Sequence, residues 1–303
     1  MSKIEVNKLK TLGGHQDCVY TLEKGHTPSH FFSSGADGVI ALWDLNDPDN
    51  GRMIAKVESS VYALHYYAAR NVLIIGKNFE GIHLIDMESR KEVGSIKLSL
   101  AAIFDIKVVK DRIIVAFGDG FVRVLDLTTL QTLHEFQATE KSARTLAIYE
   151  EAGHLAVGYS DNKIRIYKLS DWSLLKEIDA HKISVFTVRY SPDGRYLISG
   201  SRDAHLKVWE PAKDYELSQS IVAHMFAINH VEYSPDGKHF VTCSMDKSIK
   251  VWDASTFQLL KVIDKARHAG HGTSVNKLYW SSFNNLLVSA SDDRSVSIWD
   301  IHF

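Results

Sequence analysis

Short stretches in which apolar and polar residues alternate run along the whole chain, and clusters of turn residues separate them. One stretch, Val185–Tyr190, reads as a strand and is followed by the turn Ser191–Gly194. Tyr196–Gly200 and His205–Trp209 read as two further strands, because β-branched and aromatic residues favour a pleated, half-buried surface. No window shows a convincing helical period, so the pattern predicts an all-β protein.

A twelve-residue pattern recurs seven times along the sequence. Its clearest copies read SSGADGVIALWD, SGSRDAHLKVWE, TCSMDKSIKVWD and SASDDRSVSIWD, and the seven copies end near residues 44, 86, 126, 168, 210, 253 and 300. A period of 40 to 47 residues with a Trp-Asp ending is typical of a β-propeller, in which each repeat forms one four-stranded blade. We therefore expect a single domain over residues 1–303: a seven-bladed β-propeller of antiparallel blades.

The strand count predicts how the last blade is completed. The last repeat ends after three strands, and the segment Ile4–Leu12 precedes the first repeat as an unassigned strand. Pairing this segment with the last blade gives that blade a fourth strand and leaves no open edge between the first and last blades. The sequence therefore predicts closure by the N-terminal strand.

Composition narrows the classes of partner and the compartment. The formal net charge of −2 gives no general attraction to nucleic acid or anionic membranes. Two cysteines are too few for a disulfide framework and favour a reducing compartment. The start of the chain has no apolar stretch that suits a signal peptide, and the longest aliphatic run, Val72–Ile75, is far too short to span a membrane. We expect a cytoplasmic, monomeric protein with no membrane insertion and no strong nucleic-acid binding.

Four repeats share a set of side chains at constant spacing: a His, a Ser or Thr 18 residues later, an Asp 22 residues later and a Trp 28 residues later. The sets are His15, Ser33, Asp37, Trp43; His181, Ser199, Asp203, Trp209; His224, Thr242, Asp246, Trp252; and His271, Ser289, Asp293, Trp299. With these residues the whole chain resembles the WD-repeat β-propeller family. The resemblance implies that each set is a structural tetrad joined by hydrogen bonds.

Repeats two, three and four lack the set. Phe79, Asp119 and Asp161 stand in their Asp position, and Val115 and Val157 occupy the hydroxyl position of repeats three and four. For repeat two the alternative is a one-residue bulge around Asn78–Gly81. We expect apolar packing more than a polar network to hold these three blades, and we expect their local stability to be lower.

His, Ser and Asp are also the residue types of a nucleophilic triad. Four copies suit a scaffold, however, whereas catalysis normally needs one site. The HxxH pair of His268 and His271 could suggest a metal site, but the resemblance assigns His271 to a tetrad and no third ligand lies nearby in sequence. We therefore predict no enzyme activity, no catalytic residue, no bound metal and no cofactor.

Resemblance to other propellers also implies where a partner binds. In similar proteins the contact residues lie on the rim of one face, at three positions in each blade. In this chain the residues predicted for that face are Tyr20, Tyr62, Phe104, Arg144, Phe186, Arg202 and Met245. Aromatic residues and arginine are frequent binding hot spots. The alternative is that these aromatic side chains only pack between neighbouring blades.

The leading functional prediction is a non-catalytic scaffold that binds a protein or peptide on this face. One alternative is an enzyme with a site in the central channel, which would need carboxylates or histidines on the innermost strands; those strands look rich in Val, Ala, Leu and small residues. The other is a binder of a phosphorylated or acidic ligand. It would use Arg144, Arg202 and the basic loop Lys265–His268, which lies in an insertion of the last repeat.

Overall fold

The computed structural model describes residues 4–303, and nearly all its regular structure is β-strand. After β1 (Glu5–Leu12), blade one is formed by β2 (Val19–Lys24), β3 (His30–Gly35), β4 (Val39–Asp44) and β5 (Arg52–Lys56). Blade two contains β6 (Ala63–Tyr67), β7 (Val72–Lys77), β8 (Gly81–Asp86) and β9 (Lys91–Lys97). Blade three contains β10 (Ile103–Val109), β11 (Arg112–Phe117), β12 (Phe121–Asp126) and β13 (Thr132–Gln137).

Four further blades follow in the same antiparallel order. Blade four contains β14 (Ala143–Tyr149), β15 (His154–Tyr159), β16 (Lys163–Lys168) and β17 (Leu174–Asp179). Blade five contains β18 (Val185–Tyr190), β19 (Leu197–Ser201), β20 (His205–Glu210) and β21 (Glu216–Val222). Blade six contains β22 (Ile228–Tyr233), β23 (His239–Ser244), β24 (Ile249–Asp253) and β25 (Leu259–Ile263). Blade seven combines β26 (Val275–Trp280), β27 (Leu287–Ser291), β28 (Val296–His302) and β1.

The chain divides into two compact units. One joins the chain up to Ser60 with His224–Phe303 and holds blades one, six and seven; the other is Val61–Ala223 and holds blades two to five. In the first unit β26 contacts both β22 and β2, and in the second β10 contacts β6 and β14, while β14 also contacts β18. The first strands of successive blades therefore lie side by side within each unit. Seven such blades confirm the predicted β-propeller.

The N-terminal strand completes blade seven as predicted. β1 pairs antiparallel with β28, from Glu5 opposite His302 to Leu12 opposite Val296. The side chain of Leu12 is buried among core residues of its unit. The sheet order β1-β28-β27-β26 therefore takes its outermost strand from the other end of the chain.

Burial changes systematically across a blade and explains the sequence pattern. The middle strands are covered on both sides and are rich in buried apolar residues. In β7 every residue except the last is buried, and in β15 every residue except the first is buried. The outermost strands β9, β13 and β21 instead expose or half-expose every residue. Apolar residues are consequently concentrated in strands that have a neighbouring blade on each face.

Small departures from the all-β prediction occur in the connections. They are two 3₁₀ turns, Ala68–Arg70 and Pro211–Lys213, and one short helix, α1 (Lys265–His268). Asp264 caps α1 by accepting a hydrogen bond from the backbone N–H of Arg267 at 2.9 Å. Among residues 4–303, no helix has the length and apolar character needed to cross a membrane.

Candidate functional site

Four predicted partner-binding residues come together in the unit Val61–Ala223. Tyr62, Phe104, Arg144 and Phe186 belong to blades two to five in that order, and all four are half-buried. The rings of Tyr62 and Phe104 have centroids 5.6 Å apart. The Cζ atom of Arg144 lies 4.1 Å from the ring centroid of Phe104 and 4.7 Å from that of Phe186. We call these four residues the aromatic–arginine stack.

A backbone irregularity places three of these side chains. Phe104, Arg144 and Phe186 are each the second residue of their blade's first strand, and each is skipped by the pairing with the next strand. Such a β-bulge inserts one extra residue and redirects its side chain relative to the ladder. The same bulge occurs at Tyr20, which lies in the other unit.

The Arg144 guanidinium is a charge without an anionic partner in residues 4–303. Its only described contacts are with aromatic rings, because neither a hydrogen bond nor an ion pair joins it to another described residue. Burial lowers the pKa of Arg144, and Tyr62 acts in the opposite direction. Arginine nevertheless stays charged in proteins, so the stack holds a partly desolvated cation.

Blades six and seven use the same bulge position differently. The side-chain amide of Asn229 donates to the Val275 carbonyl at 2.8 Å, and that of Asn276 donates to the Val19 carbonyl at 2.9 Å. Each asparagine therefore links the first strand of its own blade to the next blade. The bulge position is structural in these blades, whereas Arg144 makes no such bond to any residue of the described chain.

The remaining predicted partner residues lie at the ends of blades five and six. Arg202 is exposed, and its backbone N–H donates to the Ser184 carbonyl at 3.0 Å, next to the start of β18. Met245 is 48% exposed. Sequence reasoning missed its neighbours Met225 and Phe226, which are 82% and 59% exposed. The sequence signal that could have identified them is the pair of large apolar residues directly after the tetrad residue His224.

Part of the positive charge of the basic loop Lys265–His268 is already paired within the protein and is therefore less available to an acidic ligand. Both Nε and Nη2 of Arg267 bond to Oδ2 of Asp264, at 2.9 and 2.6 Å. This ion pair neutralises one of the two permanent charges in α1. Within the described residues, no group of three or more His, Cys, Asp or Glu side chains is arranged to hold a metal ion.

The first strands are more polar than the sequence reading suggested. β10 carries Asp105 and Lys107, and β22 carries His230 and Glu232. Oδ2 of Asp105 accepts a hydrogen bond from the backbone N–H of Leu146 in the next blade at 2.8 Å, while Oδ1 lies 3.1 Å from Nζ of Lys107. At least this carboxylate is engaged in linking blades.

The four sets of His, Ser or Thr, Asp and Trp residues are each joined by hydrogen bonds. In blade six, Nδ1 of His224 lies 2.9 Å from Oδ2 of Asp246, and its Nε2 lies 2.8 Å from Oγ1 of Thr242. Nε1–H of Trp252 donates to the same Thr242 oxygen at 2.9 Å. The equivalent bonds of the other three sets measure 2.8 to 3.2 Å.

A neutral histidine satisfies every group in such a set. Its Nδ1–H donates to the aspartate, and its Nε2 accepts from the hydroxyl, which in turn accepts from the tryptophan N–H. Protonation of Nε2 would leave the hydroxyl hydrogen without an acceptor. In agreement with this, burial lowers the pKa of His181 and His224 despite the nearby aspartates. Each set therefore ties its blade's strands together, with its hydroxyl group fully buried.

A family comparison can now be set beside this geometry. The family model described as WD domain, G-beta repeat (WD40) matches residues 6–44, 172–210, 215–253 and 263–300. These segments make up just over half of the chain. The chain belongs to the WD40 repeat family. The four matched WD40 repeats are those that carry the hydrogen-bonded sets, and the three unmatched repeats are those without them.

Individual relatives are distant. The serine-threonine kinase receptor-associated protein of Homo sapiens is 22% identical over 204 residues, which are 67% of this chain and 58% of that protein. Protein groucho of Drosophila melanogaster is 22% identical over 209 residues, 66% of this chain and 28% of that protein. The striatin homolog of Dictyostelium discoideum is 20% identical over 219 residues, 65% and 26% of the two chains. The chain thus matches only part of each of these longer proteins.

The divergent WD40 repeats are not held by apolar packing alone. In blade four the hydroxyl groups of Tyr159 and Tyr167 lie 3.2 Å apart, and the guanidinium of Arg165 lies over the Tyr159 ring. Arg165 also bonds to Asp161 and Glu177, each at 2.8 Å. Blade four therefore contains a polar network in addition to its apolar core. The replacement network uses residues outside the tetrad positions.

Replacing Arg165 should destabilise the protein. Arg165→Met leaves the largely buried Asp161 carboxylate without its ion pair, so we expect a loss of about 1–2 kcal/mol in the free energy of unfolding. Urea unfolding at neutral pH measures this. Arg112→Met, at an exposed arginine of blade three, is the matched control and should change stability by about 0.5 kcal/mol or less. Equal effects of both variants would show that the network contributes nothing.

Proposed function

We propose that this chain is a non-catalytic scaffold that binds a protein or peptide partner at the aromatic–arginine stack. The observation that carries the proposal is the stack itself, in which consecutive blades present half-buried aromatic rings around one arginine. Aromatic and arginine side chains in partly desolvated positions account for much of the binding energy in protein interfaces. Arg202 belongs to the same unit and is part of the proposed surface, and Tyr20 and Met245 are the predicted partner residues of the other unit.

Family membership supports the scaffold role. WD40 repeats form propellers that generally bind proteins, and one relative is named as associated with a kinase receptor. That association is a property of the relative, and for this chain it only supports the class of function. The tetrads also argue against a catalytic role, because every tetrad hydroxyl is fully buried and accepts a hydrogen bond from a tryptophan N–H.

The proposal includes the oligomeric state and the compartment. We propose a single-domain, monomeric protein of the cytoplasm. Both cysteines, Cys18 and Cys243, are free thiols, which supports a reducing compartment.

A capture experiment tests the partner surface. Wild-type protein and a variant with Tyr62→Ala, Phe104→Ala, Arg144→Ala and Phe186→Ala are immobilised and exposed to native lysate. The matched control carries Val93→Ala, Leu133→Ala, Leu174→Ala and Leu217→Ala, which removes four exposed apolar side chains from outer strands of the same unit. All three proteins must unfold at similar temperatures before comparison.

The expected result is a protein that the wild type and the control retain and that the stack variant loses by roughly 10-fold or more, since several hot-spot contacts are removed together. Identical recovery by all three proteins would move the partner site away from the stack. Loss from the control alone would place it on the outer strands. Direct binding to the purified partner then gives the affinity.

A further inference from the structure

We infer that Arg144 recognises a carboxylate of the partner: an Asp or Glu side chain, or a C-terminal carboxylate. This inference rests on the proposed function and specifies which chemical group the partner presents. It starts from the unpaired guanidinium at the centre of the stack. The neighbouring blades supply the rings on either side of it, Phe104 from blade three and Phe186 from blade five.

Other shielded arginines of the same unit show what Arg144 lacks. Nε of Arg123 lies 3.1 Å from Oε2 of Glu135, and Arg165 bonds to two carboxylates. Shielding a guanidinium from water is costly unless a counter-charge or hydrogen bonds compensate for it. Contacts with aromatic faces compensate only in part. Arg144, which has no such partner in residues 4–303, therefore gains most from an anion brought by another molecule.

The geometry of the stack determines how an anion can approach. A guanidinium carries all its N–H donors in its own plane. Cζ of Arg144 lies 4.1 and 4.7 Å from the two ring centroids, and no N–H of its side chain bonds to another residue of 4–303, so these donors remain for a ligand. The rings also restrict the rotamers of Arg144, which reduces the entropy lost when it is bound. A planar carboxylate that lies in the guanidinium plane can then accept two parallel N–H bonds.

The surroundings favour one carboxylate over a phosphate group. Recognition of a doubly charged phosphate usually draws on clusters of arginine or lysine side chains. Here the nearby small hydroxyls are already used as donors: Ser142 Oγ to the Gly118 carbonyl at 2.9 Å, and Ser184 Oγ to the Ser160 carbonyl at 3.3 Å. One cation between apolar rings suits a singly charged group attached to an apolar segment.

Peptide selection tests the inference. A random twelve-residue peptide library displayed on phage is selected on the wild-type protein, and binders are sorted by whether they require the stack, using the four-residue alanine variant of the stack. Synthetic peptides from the stack-dependent class are then measured against Arg144→Gln and Arg144→Lys. Arg112→Gln, at an exposed arginine of the same unit that lies outside the proposed surface, is the control. Thermal unfolding of each variant verifies that it is folded, and Arg144→Lys keeps the charge if Arg144→Gln does not fold.

We expect stack-dependent peptides to share an Asp, a Glu or a required free C-terminus. Arg144→Gln should weaken their binding roughly 10- to 100-fold, as should amidation of the peptide carboxylate (Asn for Asp, or a C-terminal amide). The two changes together should cost little more than either alone, because both remove the same bond. Arg144→Lys should weaken binding by roughly several-fold, since an ammonium group cannot reproduce the planar double contact. Arg112→Gln should leave binding unchanged.

Three results would overturn the inference. Stack-dependent peptides that have no essential carboxylate, or that tolerate Arg144→Gln, leave the proposed function intact and remove Arg144 as the anchor. If a peptide with phosphoserine in place of the acidic residue binds roughly 10-fold tighter than the original peptide, the site recognises a phosphate instead. If every selected peptide binds the four-residue alanine variant of the stack as well as the wild type, both the inference and the proposed binding surface are wrong.

Discussion

A variant that lacks residues 1–12 is expected to lose about 3–5 kcal/mol of unfolding free energy, which corresponds to a fall of about 10 °C in Tm. β1 forms the outer edge of blade seven and pairs with β28 along seven residues. Each lost backbone hydrogen bond costs about 1 kcal/mol net, and Leu12, which is 4% exposed, is lost from the core as well. The entropy of ordering the strand offsets part of this cost.

Truncation has a second consequence, because it uncovers the hydrogen-bonding edge of β28. Exposed strand edges pair readily with other chains, so the truncated protein should scatter light on mild heating before the full-length protein does. Calorimetry and light scattering measure both effects.

Deletion of residues 1–3 alone provides the control, since it keeps β1 and should retain the full-length midpoint. A synthetic peptide of residues 1–12 added in excess should restore stability, because it can rebuild the missing strand. If the long truncation unfolds at the full-length midpoint, the pairing of β1 with β28 does not stabilise the protein.

Strand positions could be predicted from sequence where the alternation is clear and turn residues bound it. The predicted strand Val185–Tyr190 agrees with the observed β18, and Ile4–Leu12 differs from β1 by one residue. These features depend on neighbouring residues and on a repeat that presents the same pattern several times. The same repetition made the tetrad positions recognisable.

The stack could be predicted only as a set of positions. Repeat alignment assigned Phe104, Arg144 and Phe186 to the same place in three blades. Whether the rings approach the guanidinium or point away from it depends on the β-bulge and on the packing between blades. The sequence of a single repeat predicts neither of these two features. That Arg144 has no anionic partner within residues 4–303 likewise depends on where the carboxylates lie in three dimensions.

Two other differences between prediction and structure have separate causes. The polar network of blade four was missed because Tyr159, Arg165 and Tyr167 lie outside the tetrad slots that were compared. The pairing of Arg267 with Asp264 was in principle readable, because an aspartate is a common helix N-cap and a basic side chain three residues later can pair with it. Counting charges without pairing them overstated the basic character of that loop.

Acidification from about pH 7 to below pH 4 is expected to weaken the fold progressively, and the tetrads explain the direction. Burial alone raises the pKa of Asp203, Asp246 and Asp293, but hydrogen bonds from their histidines and from backbone N–H groups outweigh it and leave each pKa below the ordinary value of 3.8. A carboxyl group whose pKa is lower in the folded state contributes stability above the unfolded pKa and loses that contribution as the pH falls below it.

Two tetrad histidines, His181 and His224, act in the same direction at higher pH. Burial lowers the pKa of His181 and His224 below the ordinary 6.5, so the folded protein keeps them neutral while the unfolded chain takes up protons. Stability from these histidines is therefore complete above about pH 6.5 and falls below it. The protein should lose stability first through histidine protonation in the unfolded chain and then, near pH 4 and below, through the aspartates.

Asp246→Ala isolates one aspartate. This carboxylate accepts bonds from Nδ1 of His224 at 2.9 Å and from the backbone N–H of Met225 at 3.0 Å, and its loss leaves both donors without that acceptor. At neutral pH we expect a loss of about 1–3 kcal/mol. Asp49→Ala, at a side chain 68% exposed, should change stability by about 0.5 kcal/mol or less.

Urea unfolding across a pH series distinguishes the tetrad effect from a simple packing defect. The stability gap between wild type and Asp246→Ala should be widest above about pH 5 and should narrow as the pH falls below 3.8, because the unfolded wild-type chain then takes up a proton at Asp246 while the folded protein still holds this carboxylate charged. A cavity left by a removed side chain has no reason to follow pH. A gap that stays constant through this range would therefore assign the loss to packing, and a wild-type protein equally stable at pH 7 and pH 4 would contradict the role given to the histidines.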